Sequence, residues 1–347
     1  MPPKEEGQKP QASRIVYRPR YCASAGHSSN VACAITGAQR CQVMRIAVMG
    51  AGSIGGYFGG MLARDGNEVS FIARGAHLDA IKSNGLKVVR DEEEFTVRCQ
   101  ATDDPHEVGF VDLAMLCVKT YQNEVAVPLM QPLVGPETTV LCLQNGVDSY
   151  LKAVQTLGEE RVLPGAAFIE AGMLGPGTVQ QTGGVVRIIM GETSGVETPR
   201  CRAIRDAFLA SGVPAEVLAD IRAGQWEKFM FIATMAGVTS IARTTLSELM
   251  PQPDWRKVVL ACLAEIDTVG RADGVGLPLD ILSDTVNYME NNLADLNASM
   301  YTDLLAGRPM ELDALNGAVV RIGQQVGVET PINDVIYAML KKFQNGS

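Results

Sequence analysis

Histidine is nearly absent from this chain. Only His27, His77 and His106 occur, so the second half has no imidazole and any proton transfer there must use another group. Long apolar runs are missing as well. The longest candidate, 229–242, falls short of the roughly 20 residues needed to span a bilayer. It also contains Thr234, Thr239 and Ser240, so it reads as a core helix and no membrane partner is expected. Runs of Lys and Arg are lacking, and the formal net charge of -9 argues against a phosphate-neutralising surface, so no nucleic acid partner is expected. The eight cysteines show no paired metal spacing, and no metal site is expected. Cys117 and Cys142 lie inside apolar runs and read as small buried hydrophobes in a reducing compartment.

What is present is an ordinary globular composition: 347 residues, 46% hydrophobic and 20% charged, enough for about two domains and a sizeable core. Residues 1–43 stand apart as a tail, with six basic and two acidic side chains and no sustained periodicity. Arg14 to Arg40 has no acid, as in a transit peptide, but Glu5 and Glu6 depart from that pattern. A disordered tail and a start codon placed too far upstream are the other readings. The expected location is the cytoplasm, with organellar import through the tail left open.

From Met44 onward strands and helices alternate: MRIAVMG, a helix over 53–65, EVSFIAR, LKVV, EFTVRCQA, DLAMLCVK and TTVLCLQNG. Short apolar runs bounded by turn residues mark strands buried on both faces of a parallel sheet. VLPGAAFIEAGM, GTVQQTG and VVRIIMGE predict an antiparallel extension. After Asp220 helical spacing takes over. Asp254 is the expected cap of a helix striped by Trp255, Val258, Val259, Cys262, Leu263, Ile266 and Val269, and another helix is expected after Glu311. The fold class is thus α/β, a Rossmann-type N-terminal domain at 44–219, followed by an all-α C-terminal domain at 220–347.

Between the first strand and helix, Gly50, Gly52 and Gly55 form G-x-G-x-x-G in the loop Gly50, Ala51, Gly52, Ser53, Ile54, Gly55. The first glycine allows a tight turn, the second lets backbone approach a pyrophosphate, and the third permits close helix–strand packing. A structural glycine turn or a flavin-type loop are the alternatives. After the second strand, SFIARGAHL offers Arg74 and no acid before Asp79. A 2′-phosphate can be paired there where an acid would repel it, so NADP(H) is the expected cofactor.

In WEKFMFIATMAG, Lys228 heads an apolar segment, either as a solvated charge before a buried helix or as a proton donor at the mouth of a site. The glycine loop, DLAMLCVKTYQ, LCLQNG, GQWEKF and SMYTDLLAGRPMELDALNG occur in the order found in the ketopantoate reductase family, and the chain resembles that family over 44–343. The resemblance implies NADPH-dependent reduction of a 2-keto acid to a D-2-hydroxy acid, with 2-dehydropantoate giving pantoate on the route to pantothenate and coenzyme A. It also implies a C-terminal domain like that of 6-phosphogluconate dehydrogenases, and possible homodimers. By position, Lys228 resembles the general acid and Ser299 a ligand of the substrate carboxylate. Lys119 and Asn145 resemble residues at the nicotinamide end, Asn145 also toward substrate, and Glu311 the carboxylate that meets the cofactor. Each has a plainer reading: Ser299 and Asp303 as helix-start residues, Asn145 as a turn former, Glu311 as a charge near a helix start.

One departure stands out. Well-understood family members carry asparagines four and eight residues after the lysine, where this chain has Ile232 and Ala236. A pocket lacking two amides discriminates differently, so an apolar branched 2-keto acid competes with 2-dehydropantoate as substrate. Three rivals complete the expectations: a short-chain dehydrogenase using Tyr337 and Lys341, whose terminal position reads instead as a surface helix turn; related two-domain enzymes that oxidise 6-phosphogluconate or 3-hydroxy acids, against which the lysine and the Ser299 to Glu311 arrangement speak; and a non-catalytic NADPH-binding regulator.

Overall fold

The structure, a computed structural model, describes residues 43–90 and 93–346. The expected tail, apart from Val43, lies outside the described residues. Ten strands form one sheet: β1 (Arg45–Met49), β2 (Glu68–Ile72), β3 (Leu86–Arg90), β4 (Glu93–Val97), β5 (Gln100–Thr102), β6 (Leu113–Leu116), β7 (Thr139–Cys142), β8 (Val162–Gly175), β9 (Thr178–Met190) and β10 (Ala215–Val217). Their order is β4-β3-β9-β8-β7-β6-β1-β2-β5, with β10 beside β9. Neighbours from β8 through β7, β6, β1 and β2 to β5 are all parallel. The chain winds away from β1 in both directions, through β2 on one side and β6 on the other. A ligand crevice lies outside the carboxyl ends of strands at such a switch point.

The strands form where apolar runs can be covered on both faces: every residue of β6 and β7 is buried, as are Ile46 to Met49 of β1. The antiparallel extension is present, with β8 pairing β9. GTVQQTG and VVRIIMGE are one continuous strand, however, and EFTVRCQA splits into β4 and β5 at opposite ends of the order. Strands from both parts of the sheet pack on the helix Ser53–Arg64. A Cβ on Gly59 would come within 2.6 Å of Phe71, one on Gly60 within 2.7 Å of Val88, and one on Gly56 within 2.7 Å of Val179. Small residues at i, i+3 and i+4, on one face of the helix, let strands from both parts of the sheet close on it.

No strand follows Val217 among the described residues, and the C-terminal domain is helical. Its axis is the helix Ile221–Ala242, which Asp220 caps by accepting the Ala223 N–H at 2.9 Å. From Ala223 to Ser240 every residue is buried except Ile232, which is half-buried. A helix apolar on all sides belongs in a core, and Trp226 and Phe229 pack edge to face at 5.4 Å within it. Around it stand Pro253–Ala272, Ile281–Tyr288, Asn316–Val326 and Pro331–Lys341. Among the described residues no helix is long and apolar enough to cross a membrane.

Two helix starts differ from expectation. Asp254 is not the cap: Gln252 holds that position, because Pro253 has the fixed φ suited to a first helical residue, and Asp254 falls in the first turn. After Glu311 a short 3-10 turn, Leu312–Ala314, precedes the helix at Asn316. That turn lies against Gly146, where a Cβ would be 2.9 Å from the Ala314 carbonyl oxygen and φ is +98.

Candidate active site

Four connections leave the carboxyl ends of the parallel strands on the same side of the sheet. The glycine loop follows β1, Arg74 follows β2, Lys119 follows β6 and Asn145 follows β7. Gly50 sits at φ +98, and a Cβ there would lie 2.7 Å from the Val118 side chain. A Cβ on Gly55 would overlap the Gly50 carbonyl oxygen, whereas one on Gly52 would meet nothing within 4 Å. Ala51 is buried beneath the loop, and Ser53 and Ile54 open the helix half-buried. That helix has no side-chain cap and no acid in its first turn, so its leading N–H groups favour an anion. Arg74 is exposed, and among the described residues its guanidinium has no ion pair. The donor set fits a dinucleotide: free amides beside an open glycine, with a cation one strand away.

The other wall comes from the helical domain. Glu311, with its side chain 4% exposed, accepts from Lys119 Nζ at 3.1 Å, the Thr120 N–H at 3.1 Å and Asn145 Nδ2 at 3.2 Å. Lys119 Nζ also donates to Asp303 at 3.2 Å, and Asp303 accepts from Arg308 at 2.9 Å. Burial pushes the Glu311 carboxyl up, but the Lys119 charge and these donors outweigh it and hold the group below the usual carboxylate range. For Lys119, burial pulls downward and is outweighed by Glu311 and Asp303, so its pKa is raised.

Lys228 lies one step further in. Only 8% of the residue is exposed; its Nζ donates to the Ala167 carbonyl at 2.7 Å and to Asn145 Oδ1 at 3.1 Å. The Phe168 ring lies beside it, 5.7 Å from Nζ to centroid. Among the described residues no carboxylate pairs with it, and burial, opposed by the more distant Glu311, lowers its pKa to about 8. Two of its three ammonium donors are used; the third has no protein acceptor among the described residues.

Lys119, Asn145, Lys228 and Glu311, far apart in sequence, thus form one connected group. Ser299 does not join it. It is exposed at the start of Ser299–Leu305, and among the described residues its hydroxyl makes no hydrogen bond, although it lies one turn from Asp303 on the same helix face. Ile232, one turn after Lys228, is the one half-buried residue between Ala223 and Ser240, while Ala236 is closed off at 3% exposure. Tyr337, half-buried, and Lys341, exposed, bond to each other and to Asp313 at the protein surface, as a surface helix turn would. Sequence reading missed three contributors. Asp303 had a signal in its i, i+4 spacing from Ser299; the Thr120 amide and the Ala167 carbonyl, being backbone, had none.

Comparison with known proteins covers both domains. The family description Ketopantoate reductase PanE/ApbA matches residues 46–195, and Ketopantoate reductase PanE/ApbA C terminal matches 220–344. The chain belongs to the ketopantoate reductase family. A 2-dehydropantoate 2-reductase of Mesorhizobium japonicum is 30% identical over 321 residues, covering 86% of this chain and 98% of the relative. A solved PanE/ApbA family ketopantoate reductase from Ralstonia eutropha superposes with TM-score 0.80 at 31% identity, over 86% of this chain and 98% of that one. A D-mandelate dehydrogenase solved with NADH and anilino(oxo)acetate also superposes, with TM-score 0.79 at 28% identity, over 86% of this chain and 97% of that one. The protein is therefore an oxidoreductase of the ketopantoate reductase family, with a Rossmann-type domain followed by a helical one.

Proposed function

We propose that this protein reduces a 2-keto acid to a D-2-hydroxy acid with NADPH, 2-dehydropantoate to pantoate being the first candidate, and that Lys228 is the proton donor. The carrying observation is a buried ammonium with two donors anchored and one directed at no protein group. Reduction turns a carbonyl oxygen into an alkoxide. A desolvated ammonium stabilises that charge and delivers a proton, and a pKa of about 8 keeps it charged yet ready to give the proton up near neutrality. A nicotinamide coenzyme, when bound, supplies the hydride. Gly50 to Gly55 would hold its pyrophosphate and Arg74 its 2′-phosphate, with Lys119, Asn145 and Glu311 at the nicotinamide end. Ser299, exposed one turn from Asp303, is proposed as the ligand of the substrate carboxylate.

A second reading concerns the substrate. The open position beside Lys228 is apolar Ile232, which offers no hydrogen bond to a substrate hydroxyl. An apolar branched or aromatic 2-keto acid then suits the site as well as 2-dehydropantoate does, and the D-mandelate dehydrogenase likeness is compatible with it. NADPH oxidation followed at ~340 nm over 2-dehydropantoate, 2-ketoisovalerate, phenylglyoxylate and pyruvate separates the readings by kcat/KM. Coenzyme binding with no turnover on any of them would mark a non-catalytic regulator. For the coenzyme, Arg74→Asp should move the NADPH over NADH preference toward NADH by at least about tenfold, one charge-assisted contact's worth. A wild-type preference for NADH would end the NADPH assignment.

A further inference from the structure

His77 is the third residue of the helix Gly75–Asn84, half-buried, and it touches two segments distant in sequence. Its Nε2 lies 2.7 Å from the Ala51 carbonyl oxygen, and its Nδ1 is 2.9 Å from the Gly177 amide nitrogen. The amide can only donate, so Nδ1 must be the acceptor and the ring proton must sit on Nε2, from which it is donated to Ala51. One ring therefore ties the second residue of the glycine loop to the turn between β8 and β9.

We propose that His77 is a positioning residue for the phosphate loop, aiming the Gly52 N–H by gripping the carbonyl of the same peptide unit. Across a planar trans peptide the Ala51 C=O and the Gly52 N–H point in opposite directions, so fixing one fixes the other. The helix ladder does not do this itself, since its first bond, at 2.7 Å, runs from the Gly56 N–H to the Gly52 carbonyl, one peptide later. The anchor behind His77 is firm. The Lys87 N–H donates to the Gly177 carbonyl at 2.8 Å, and a Cβ on Gly177, at φ +72, would lie 2.9 Å from Ala80 Cβ. On the other side of the loop Gly52 faces open space, where a pyrophosphate oxygen has room to accept the aimed N–H. His77 acts through the loop backbone: it preorganises a donor, which removes part of the ordering cost of binding.

This inference rests on the coenzyme reading above, and its test separates the two. NADPH and 2′-phospho-ADP-ribose are titrated by fluorescence and calorimetry against wild type, His77→Ala, His77→Gln and His77→Asn, with kcat, KM for NADPH and Tm measured alongside. A glutamine amide can reproduce the Nε2 donor, and an asparagine oxygen the Nδ1 acceptor. The expected result is a rise of about tenfold in Kd for both ligands, and in KM for NADPH, in the Ala and Asn variants, the size of one charge-assisted hydrogen bond. The Gln variant should stay within about threefold of wild type, with kcat at saturating NADPH falling far less than KM rises. A Kd for His77→Ala within twofold of wild type would overturn the inference while leaving the coenzyme reading intact. So would a Gln variant as weak as Ala, or an Asn variant with lowered Tm and unchanged Kd. Wild type binding neither ligand would overturn the coenzyme reading and this inference together.

Discussion

Lys119 and Lys228 share the same cleft and even the same asparagine: Asn145 donates to the carboxylate that holds Lys119 and accepts from Lys228. Their surroundings differ in one respect. Lys119 lies between two carboxylates, its side chain 37% exposed, and its pKa is raised; Lys228 has a carbonyl, an amide oxygen and an aromatic ring, and its pKa falls to about 8. Paired, a lysine keeps its proton, orients Glu311 and links the sheet to the helical domain as a strut. Buried without a carboxylate, the same ammonium becomes an acid of useful strength. The residue type is constant, and the environment assigns the role.

The largest effect should come from removing the second lysine. Lys228→Ala is expected to lower kcat by about 10²- to 10⁴-fold, the usual span for a lost general acid, with NADPH affinity changed less than threefold, an allowance of roughly 0.6 kcal/mol. Steady-state kinetics beside a binding titration measures both, and near-normal turnover would break the comparison. Stability should move differently. The folded form binds the Lys228 proton more weakly than the unfolded chain does, so the cost of its burial is fully present below about pH 8 and is relieved as pH rises toward 10.5. Lys228→Met at pH 7 should therefore unfold at the wild-type temperature or above it.

Lys119→Met should reverse that pattern. It leaves Glu311 and Asp303 buried without their shared cation, at a cost of ~1–2 kcal/mol once the partial exposure of Lys119 is discounted. Urea unfolding at pH 7 should show the loss, and a variant as stable as wild type would remove the strut from the argument. Any fall in kcat should be smaller than that of Lys228→Ala.

How much of this was legible depended on how local each feature is. The glycine loop and Arg74 lie within one β-α-β unit, where a turn, a helix start and a strand end follow one another in sequence, so spacing alone carries the geometry. The Lys119 web joins residues 184 and 192 positions apart, and no spacing rule spans that distance; the order of family motifs found Lys119, Asn145 and Glu311 but left Asp303 as a helix-start residue. The Ala167 carbonyl belongs to a backbone group that any residue carries, so nothing in the composition of β8 marks it. Asp254 looks like a cap in the sequence only because a favourable cap residue stands beside a proline that starts the helix one position earlier. Ser299 remains a motif match whose hydroxyl has no partner among the described residues.

The smallest effect is the most specific to the comparison. If Lys228 delivers the proton, log kcat/KM for keto-acid reduction should fall as pH rises through about 8, where the ammonium loses its proton, and the reverse reaction, which needs the free amine as base, should rise through the same value. Glu311 is the charge that raises the Lys228 pKa against the effect of burial. Glu311→Gln keeps the side-chain shape and removes that charge, so the alkaline limb of reduction should move to lower pH. Lys119, whose own pKa is held up by Glu311 and Asp303 together, should by contrast keep one carboxylate partner. A pH series on wild type and Glu311→Gln, run in both directions with saturating coenzyme, reads the shift directly. If the limb were unmoved or displaced upward, the titrating group would not be an ammonium under the influence of Glu311, and the division of labour between the two lysines would have to be redrawn.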